Sequence, residues 1–277
     1  METSHLRGAV RVAISVASAC DLVADDAVVL QDSNKLTLRL LPCNVVARVA
    51  DVGQEKFELE VELAQRLAAT GSPAVALDPR LAPRVYVRDG FAVTLWTYHE
   101  PVPTREATPT AYADALKRLH AGMRQIDVAS PHFTDRVAQA ESIVADRSSS
   151  PELPDADREF LGFTLRHLSR EIQDRGAPEQ LLHGEPHLGN LLRTKEGLLF
   201  IDLETCCRGP VEFDIAHAPE DVGGYYPDAD QVLLRQCRVL VLAMITTWRW
   251  NRDDQFPNGR RLAREWLGDL RAMMGAK

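Results

Sequence analysis

Apolar positions change their spacing once along this chain of 277 residues. Over the first hundred they come mostly in short, strand-like runs; after that they mostly recur every three or four residues. Ala9–Leu22 opens with helical spacing and reads as an amphipathic helix. Ala27–Leu30 and Leu36–Leu41 are short apolar runs flanking Gln31-Asp32-Ser33-Asn34-Lys35, a polar turn between two strands. Val45–Val49, rich in branched residues, predicts a third strand. Gln54–Thr70 has the period of a helix, closed by Gly71 and stopped by Ser72-Pro73. Leu81–Val87 and Phe91–Tyr98 predict another strand pair around Asp89-Gly90, a strong hairpin dipeptide.

Pro101-Val102-Pro103 marks the change of texture. Helical patterns follow over Ala107–Gln125, Phe133–Arg147, Asp155–Asp174, Asp228–Asn251 and Gly259–Met274. One segment interrupts them. Leu191-Leu192 and Leu198–Ile201 are short apolar runs around Thr194-Lys195-Glu196-Gly197, which predicts an antiparallel hairpin. The expected fold is α+β and bilobal. Residues 1–98 form a small antiparallel β-rich lobe with one embedded helix, and residues 99–277 form a larger, mainly helical lobe. Ligands favour the cleft between such units.

Composition narrows the field. Hydrophobic content of 45% with 26% charged residues suits a globular domain. A net charge of −8 argues against a nucleic-acid partner, whose binders present a basic face. The longest apolar stretches, Val12–Ala19 and Val239–Trp248, fall short of a membrane span. Ala17-Ser18-Ala19-Cys20 faintly resembles a lipoprotein cleavage site, but the apolar run before it is short and the amphipathic helix is preferred. Five scattered cysteines without a CxxC read as reduced thiols, which points to the cytoplasm.

The chemistry concentrates in His183-Gly184-Glu185-Pro186-His187-Leu188-Gly189-Asn190 and the Asp202 that follows. With a turn centred near Glu196, Asn190 and Asp202 fall opposite each other at the open end of the hairpin, roughly 5 Å apart at their Cα atoms. An amide oxygen and a carboxylate so placed can share a hard cation, and Mg²⁺ with phosphate oxygens is the usual occupant. Glu185 then stands ready to accept a proton from an attacking hydroxyl. The pattern is that of phosphate transfer. A zinc-protease reading of His183 and His187 fails, because Gly184 and Pro186 break any helix and the acid sits at the wrong offset.

Two charges in the first lobe break the apolar pattern. Arg48 interrupts a strand, and Glu60 lies beside the apolar face of the following helix, where an unpaired acid is costly. An Arg48–Glu60 pair satisfies both and aims the guanidinium at a nucleotide's phosphates. Ser33 and Asn34 sit in the turn that would cover those phosphates through backbone N–H groups or the Ser33 hydroxyl.

These pieces, in this order, resemble the aminoglycoside phosphotransferase and choline kinase-like family, over nearly the whole chain. That family's loop reads His-Gly-Asp, four residues, then Asn, with Ile-Asp-Trp/Phe-Glu/Asp following. Here the matching residues are His183-Gly184-Glu185 with Asn190, then Ile201-Asp202-Leu203-Glu204. The resemblance implies a protein-kinase-like fold and transfer of the γ-phosphoryl of ATP or GTP, with Mg²⁺, to a hydroxyl of a small molecule. It implies Asn190 and Asp202 as metal ligands and Glu185 as the catalytic base. Arg48 stands at the phosphate-binding base, often a lysine, and Glu60 at its helical partner. Trp96, Thr97 and His99 lie at the hinge, where backbone groups would meet a purine. Asp214 resembles the buried acid that braces the loop around His183; a helix N-cap is its simpler alternative.

Glu185 departs from the family's aspartate by one methylene, which leaves a catalytically weak nucleotide- or metabolite-binding protein as the rival reading. Acid excess in residues 99–277 mildly favours a cationic acceptor, such as an aminoglycoside or an amino alcohol. Trp248 and Trp250 could line an acceptor pocket, although core packing is the preferred reading.

Overall fold

The computed structural model describes residues 3–32, 35–53, 57–102 and 107–275. Its helices are α1 (Thr3–Ser18), α2 (Phe57–Ala69), α3 (Pro109–Met123), α4 (Phe133–Ala145), α5 (Asp155–Asp174), α6 (Val211–His217), α7 (Gln231–Trp250) and α8 (Gly259–Gly275). Its strands are β1 (Ala24–Asp32), β2 (Leu36–Pro42), β3 (Val45–Asp51), β4 (Tyr86–Arg88), β5 (Phe91–Thr97), β6 (Glu179–Leu182), β7 (Leu191–Thr194), β8 (Gly197–Phe200) and β9 (Cys207–Pro210). The α+β class expected from the sequence is what the chain adopts.

By internal packing the chain forms two units: residues 1–128 with 189–205, and residues 129–188 with 206–277. The first holds a five-stranded antiparallel sheet in the order β1-β2-β3-β5-β4. Side chains alternate between its faces. Leu36, Leu38 and Leu40, with Val45, Ala47 and Val49, turn to one face and pack under Ala9, Val12, Ala13, Val16 and Ala17 of α1. Each such leucine contributes about 1.5–3 kcal/mol by leaving water. Parity then sends Arg48 to the opposite face, where Phe57 of α2 packs with Ala50 and Ala92.

Two features explain why this unit takes in residues beyond 98. The β7–β8 hairpin is bound to the segment after α2: Phe200 donates its N–H to the Pro73 carbonyl at 2.8 Å, and Val75 donates to the Phe200 carbonyl at 3.0 Å. Val102 donates to the Arg193 carbonyl at 3.0 Å, and Tyr112 of α3 sets its ring edge-on to Phe200 at 5.8 Å. A boundary drawn at the change of element type, after Tyr98, therefore differs from the boundary set by packing.

The second unit is built on a core of Phe133, Val137, Leu161, Leu165, Leu240 and Trp250, among others from α4, α5, α7 and α8. Within it β6 and β9 pair antiparallel, Leu182 opposite Cys207, and β9 runs directly into α6. The apolar pattern does not show this pair, and the helix here starts before Asp214. Four-residue strands such as Glu179–Leu182 and Cys207–Pro210 hold too few apolar positions to show a period.

Other boundaries moved for local reasons. The first helix ends at Ser18, earlier than the apolar pattern suggests, because Leu22 folds back to donate to Ala17 and Asp21 adopts φ +60°. The strand expected over Leu81–Val87 shrinks to Tyr86–Arg88. Asp78–Leu81 is a turn, in which Leu81 donates to the Asp78 carbonyl, and Pro83 has no N–H to give a ladder. All five cysteines are free. Among the described residues no helix is long and apolar enough to cross a membrane.

Candidate active site

In the first unit, charges that would be costly alone are collected into one network. Arg48 reaches from β3 to α2, where its Nη1 donates to Glu60 Oε1 at 2.6 Å. Its Nη2 donates to Asp202 Oδ1, also at 2.6 Å. Glu60 is 0% exposed. It accepts a second cation, Lys35, whose Nζ lies 3.1 Å from Oε2, over the Phe57 ring, and also against Glu204. Burial pushes the Glu60 carboxyl upward, opposed by Arg48 and Lys35. Burial also works against the Arg48 charge, but Glu60 and Asp202 outweigh it and raise the Arg48 pKa. The planar guanidinium gives each carboxylate its own nitrogen in a fixed fork, a geometry that a freely rotating ammonium does not impose.

The hairpin beside this network is real, but its register differs by one from the expectation. Thr194 pairs with Gly197 and Leu191 with Phe200, so the turn is the two residues Lys195-Glu196. Asn190 consequently faces Ile201, whose N–H donates to the Asn190 carbonyl at 3.0 Å. Asp202 is not directly across from Asn190. A one-residue slip turns side chains to the other face, yet Asp202 leaves the ladder in the left-handed region, φ +68°, and Asn190 closes a short 3₁₀ turn over Leu188–Asn190. Both residues thus leave regular strand geometry, and Asp202 turns its Oδ1 to Arg48.

In the second unit, Asp214 of α6 organises the loop that follows β6. Its carboxylate accepts N–H groups from His183 at 2.9 Å and Gly184 at 2.8 Å, one on each oxygen. Pro210, not Asp214, occupies the N-cap of α6. His183 and Asp214 are 0% exposed. Gly184 takes φ +88°, a conformation that L side chains rarely adopt, and turns the chain so that Glu185 follows. The Glu185 carboxylate meets Arg136 of α4, whose Nη2 donates to Oε1. Arg136 also lies over the Trp248 ring, 5.2 Å from its centroid. Trp250, by contrast, is core.

The model of the phosphotransferase enzyme family matches residues 29–238. The chain belongs to that family. Among curated proteins none matches it by sequence. Its fold is that of the protein-kinase-like enzymes. A choline/ethanolamine kinase family protein from Mesorhizobium loti superposes with a TM-score of 0.69 at 16% identity, covering 99% of this chain and 95% of that one. Amicoumacin kinase hAmiN, solved with AMP-PNP, Ca²⁺ and Ami, gives 0.70 at 12% identity, over 98% and 96%. An aminoglycoside phosphotransferase from Streptomyces rimosus, solved with ADP and streptomycin, gives 0.57 at 17% identity, over 94% and 97%.

The remaining expected residues divide. Ser33 and Asn34 lie outside the described residues. Trp96 is buried in β5 with its Nε1 donating to Thr94 Oγ1 at 2.8 Å. Thr97 already gives its N–H to the Ala76 carbonyl at 2.9 Å, so that donor is spent inside the unit. His99 follows the end of β5 in chain without regular secondary structure. Two important residues were missed. The sequence pattern places Lys35 in a turn, although a lysine directly before an apolar strand is a candidate for burial. Arg136 carried no signal, because an arginine on an amphipathic helix is ordinary.

His217 ends α6, and its Nε2 is buried with no hydrogen-bond partner among the described residues. Burial, with Arg136 next in weight, pushes its pKa down to about 3. The folded protein therefore disfavours the protonated ring. This contribution to stability is intact above about pH 6.5 and is lost as pH falls towards 3, at roughly 1.4 kcal/mol per pH unit. Melting curves from pH 7 to 4 should fall less steeply in His217→Gln than in wild type. Parallel curves would show that this histidine is not the titrating group.

Proposed function

We propose that the chain is a small-molecule kinase, which moves the γ-phosphoryl of ATP or GTP, with Mg²⁺, to a hydroxyl group. The observation that carries the reading is the double grip of Arg48 on Glu60 and Asp202. It ties a β-strand base, a helical acid and the acid after the hairpin into one charged unit. A nucleotide's phosphates require a fixed cation held beside metal-binding oxygen. Asn190 and Asp202 offer hard oxygen donors of the type Mg²⁺ takes. Bound there, Mg²⁺ would neutralise charge developing on the phosphate oxygens. The left-handed backbone of Asp202 supports a functional role, since such strain persists where a side chain must be aimed.

Arg48 would hold phosphate oxygens through its planar fork, and Glu60 and Lys35 would keep that fork in place. Asp214 would hold the backbone of His183 and Gly184, so that Glu185 orients the acceptor hydroxyl and takes its proton. A purine would meet the chain after β5 near His99, because the Thr97 N–H is engaged.

The second reading is a binding protein without turnover. The observation favouring it is that Glu185, already a methylene longer than the family's aspartate, is held by Arg136. Phosphate transfer from ATP and GTP should be measured with Mg²⁺ across hydroxylated acids, amino alcohols, sugars and aminoglycosides. Transfer to at least one acceptor is the expected result. Glu185→Ala should lower kcat by roughly 10²- to 10⁴-fold with little change in nucleotide affinity. An unchanged kcat would remove Glu185 from the role of base, and nucleotide binding without transfer to any acceptor would favour the second reading.

A further inference from the structure

Arg136 and Arg249 act on Glu185 in the second unit, His217 lies within the influence of Arg136, and each of the three carries a buried nitrogen with no hydrogen-bond partner among the described residues. Arg136 has 12% of its side chain exposed. A guanidinium carries five N–H donors, yet among the described residues Arg136 makes one hydrogen bond, to Glu185, and its Nε is buried with none. Arg249, next after Trp248 at the end of α7, is 16% exposed and lies 3.0 Å from Asp254. Its Nε too is buried without a partner. Burial pulls its pKa down, with Asp254 and Glu185 opposing too weakly to restore it. His217 is the third, with its orphaned Nε2. Buried donors are normally satisfied, and a buried cation with one bond out of five is an unfinished anion site. A carboxylate or phosphate would complete it, because both offer the paired oxygens that match the guanidinium fork.

The same geometry argues against a cationic acceptor. An aromatic face beside a carboxylate is the arrangement that takes an ammonium group. Here Arg136 supplies that cation itself, lying over Trp248 and pairing with Glu185. A choline-like or aminoglycoside ammonium would have to displace it.

We infer that the acceptor is an anionic hydroxy compound, whose carboxylate or phosphate binds Arg136 and thereby releases Glu185 to serve the hydroxyl. This rests on the proposed kinase function. In the step that follows, the acceptor oxygen forms a bond to Pγ and the bond from Pγ to the bridging oxygen of the β-phosphate breaks. The hydroxyl proton passes to Glu185, and the nucleoside diphosphate leaves. The chain thus couples readiness of the base to arrival of the right substrate.

The test compares the full chain with Arg136→Gln and Arg136→Lys, each first checked by melting. Transfer from ATP is measured to glycerate and glycerol 3-phosphate as anionic probes, to neutral glycerol, and to choline and kanamycin as cationic ones. Binding of inorganic phosphate and of glycerate without nucleotide is followed by calorimetry. The expected result is preference for an anionic probe. Its KM should rise roughly 10- to 100-fold in Arg136→Gln and recover in part in Arg136→Lys. Arg136→Gln should also gain affinity for choline, since Trp248 and Glu185 are then uncovered; a merely structural arginine would not produce that exchange. The carboxylate and phosphate arms decide which oxyanion is preferred. Preference of the wild type for choline or kanamycin, or an acceptor KM indifferent to Arg136, overturns the inference. No transfer at all, but phosphate or glycerate binding that is lost in Arg136→Gln, keeps the anion site and overturns the kinase reading. Neither transfer nor Arg136-dependent anion binding overturns the anion site.

Discussion

Arg48→Ala is expected to lower kcat/KM for phosphate transfer by on the order of 10³-fold, the scale seen when an arginine that stabilises a transferring phosphoryl group is removed. The reason lies in what the residue joins. Its guanidinium donates to Glu60 and to Asp202 at 2.6 Å each. Without it, Asp202 loses the contact to its Oδ1, and among the described residues Glu60 keeps only Lys35. Removing one partner of a buried ion pair costs about 3–5 kcal/mol, so loss of stability has to be separated from loss of chemistry. Arg48→Lys makes that separation. It keeps the charge, and so most of the stability, but a single ammonium cannot hold two carboxylates in a planar fork. A normal melting temperature with kcat/KM reduced about 10²-fold is the expected pattern for lysine. Full activity in a folded Arg48→Ala protein would sink the role given to this residue.

How much of this could be read beforehand depended on whether a residue's neighbours lie close in sequence. Arg48 and Glu60 stood out because each contradicts its own local pattern, a charge in an apolar strand and an acid beside an apolar helix face. Helices α5 and α8 were visible at nearly their full length because their apolar period is long and unbroken. The β7–β8 hairpin was visible, but its register was not. A two-residue turn and one centred on Glu196 differ by a single residue that the apolar runs do not distinguish. Lys35 and Arg136 escaped because their partners, Glu60 and Glu185, are brought to them only by folding. The division into packing units escaped for the same reason, since Phe200 finds Pro73 and Tyr112 from far along the chain.

The second large effect concerns a residue that touches no substrate in the proposed mechanism. Asp214→Ala leaves the N–H groups of His183 and Gly184 buried without the two oxygens they now use. Each orphaned donor costs about 1–3 kcal/mol, so the melting temperature should fall by on the order of 10 °C. Asp214→Asn is the sharper test. Its amide is nearly the same size, and its single oxygen still accepts one N–H, but the NH₂ group meets the other donor head-on. Stability should fall by less than in the alanine variant, while kcat should still drop about 10²-fold, because the loop that presents Glu185 then lacks one of its two anchors. KM for the nucleotide should hardly move, since Arg48, Glu60 and Asp202 lie in the other packing unit. A kcat preserved in Asp214→Asn would mean that the loop keeps its shape without the second bond. In that case Gly184, at φ +88°, and the β6–β9 pair would be what sets Glu185 in place.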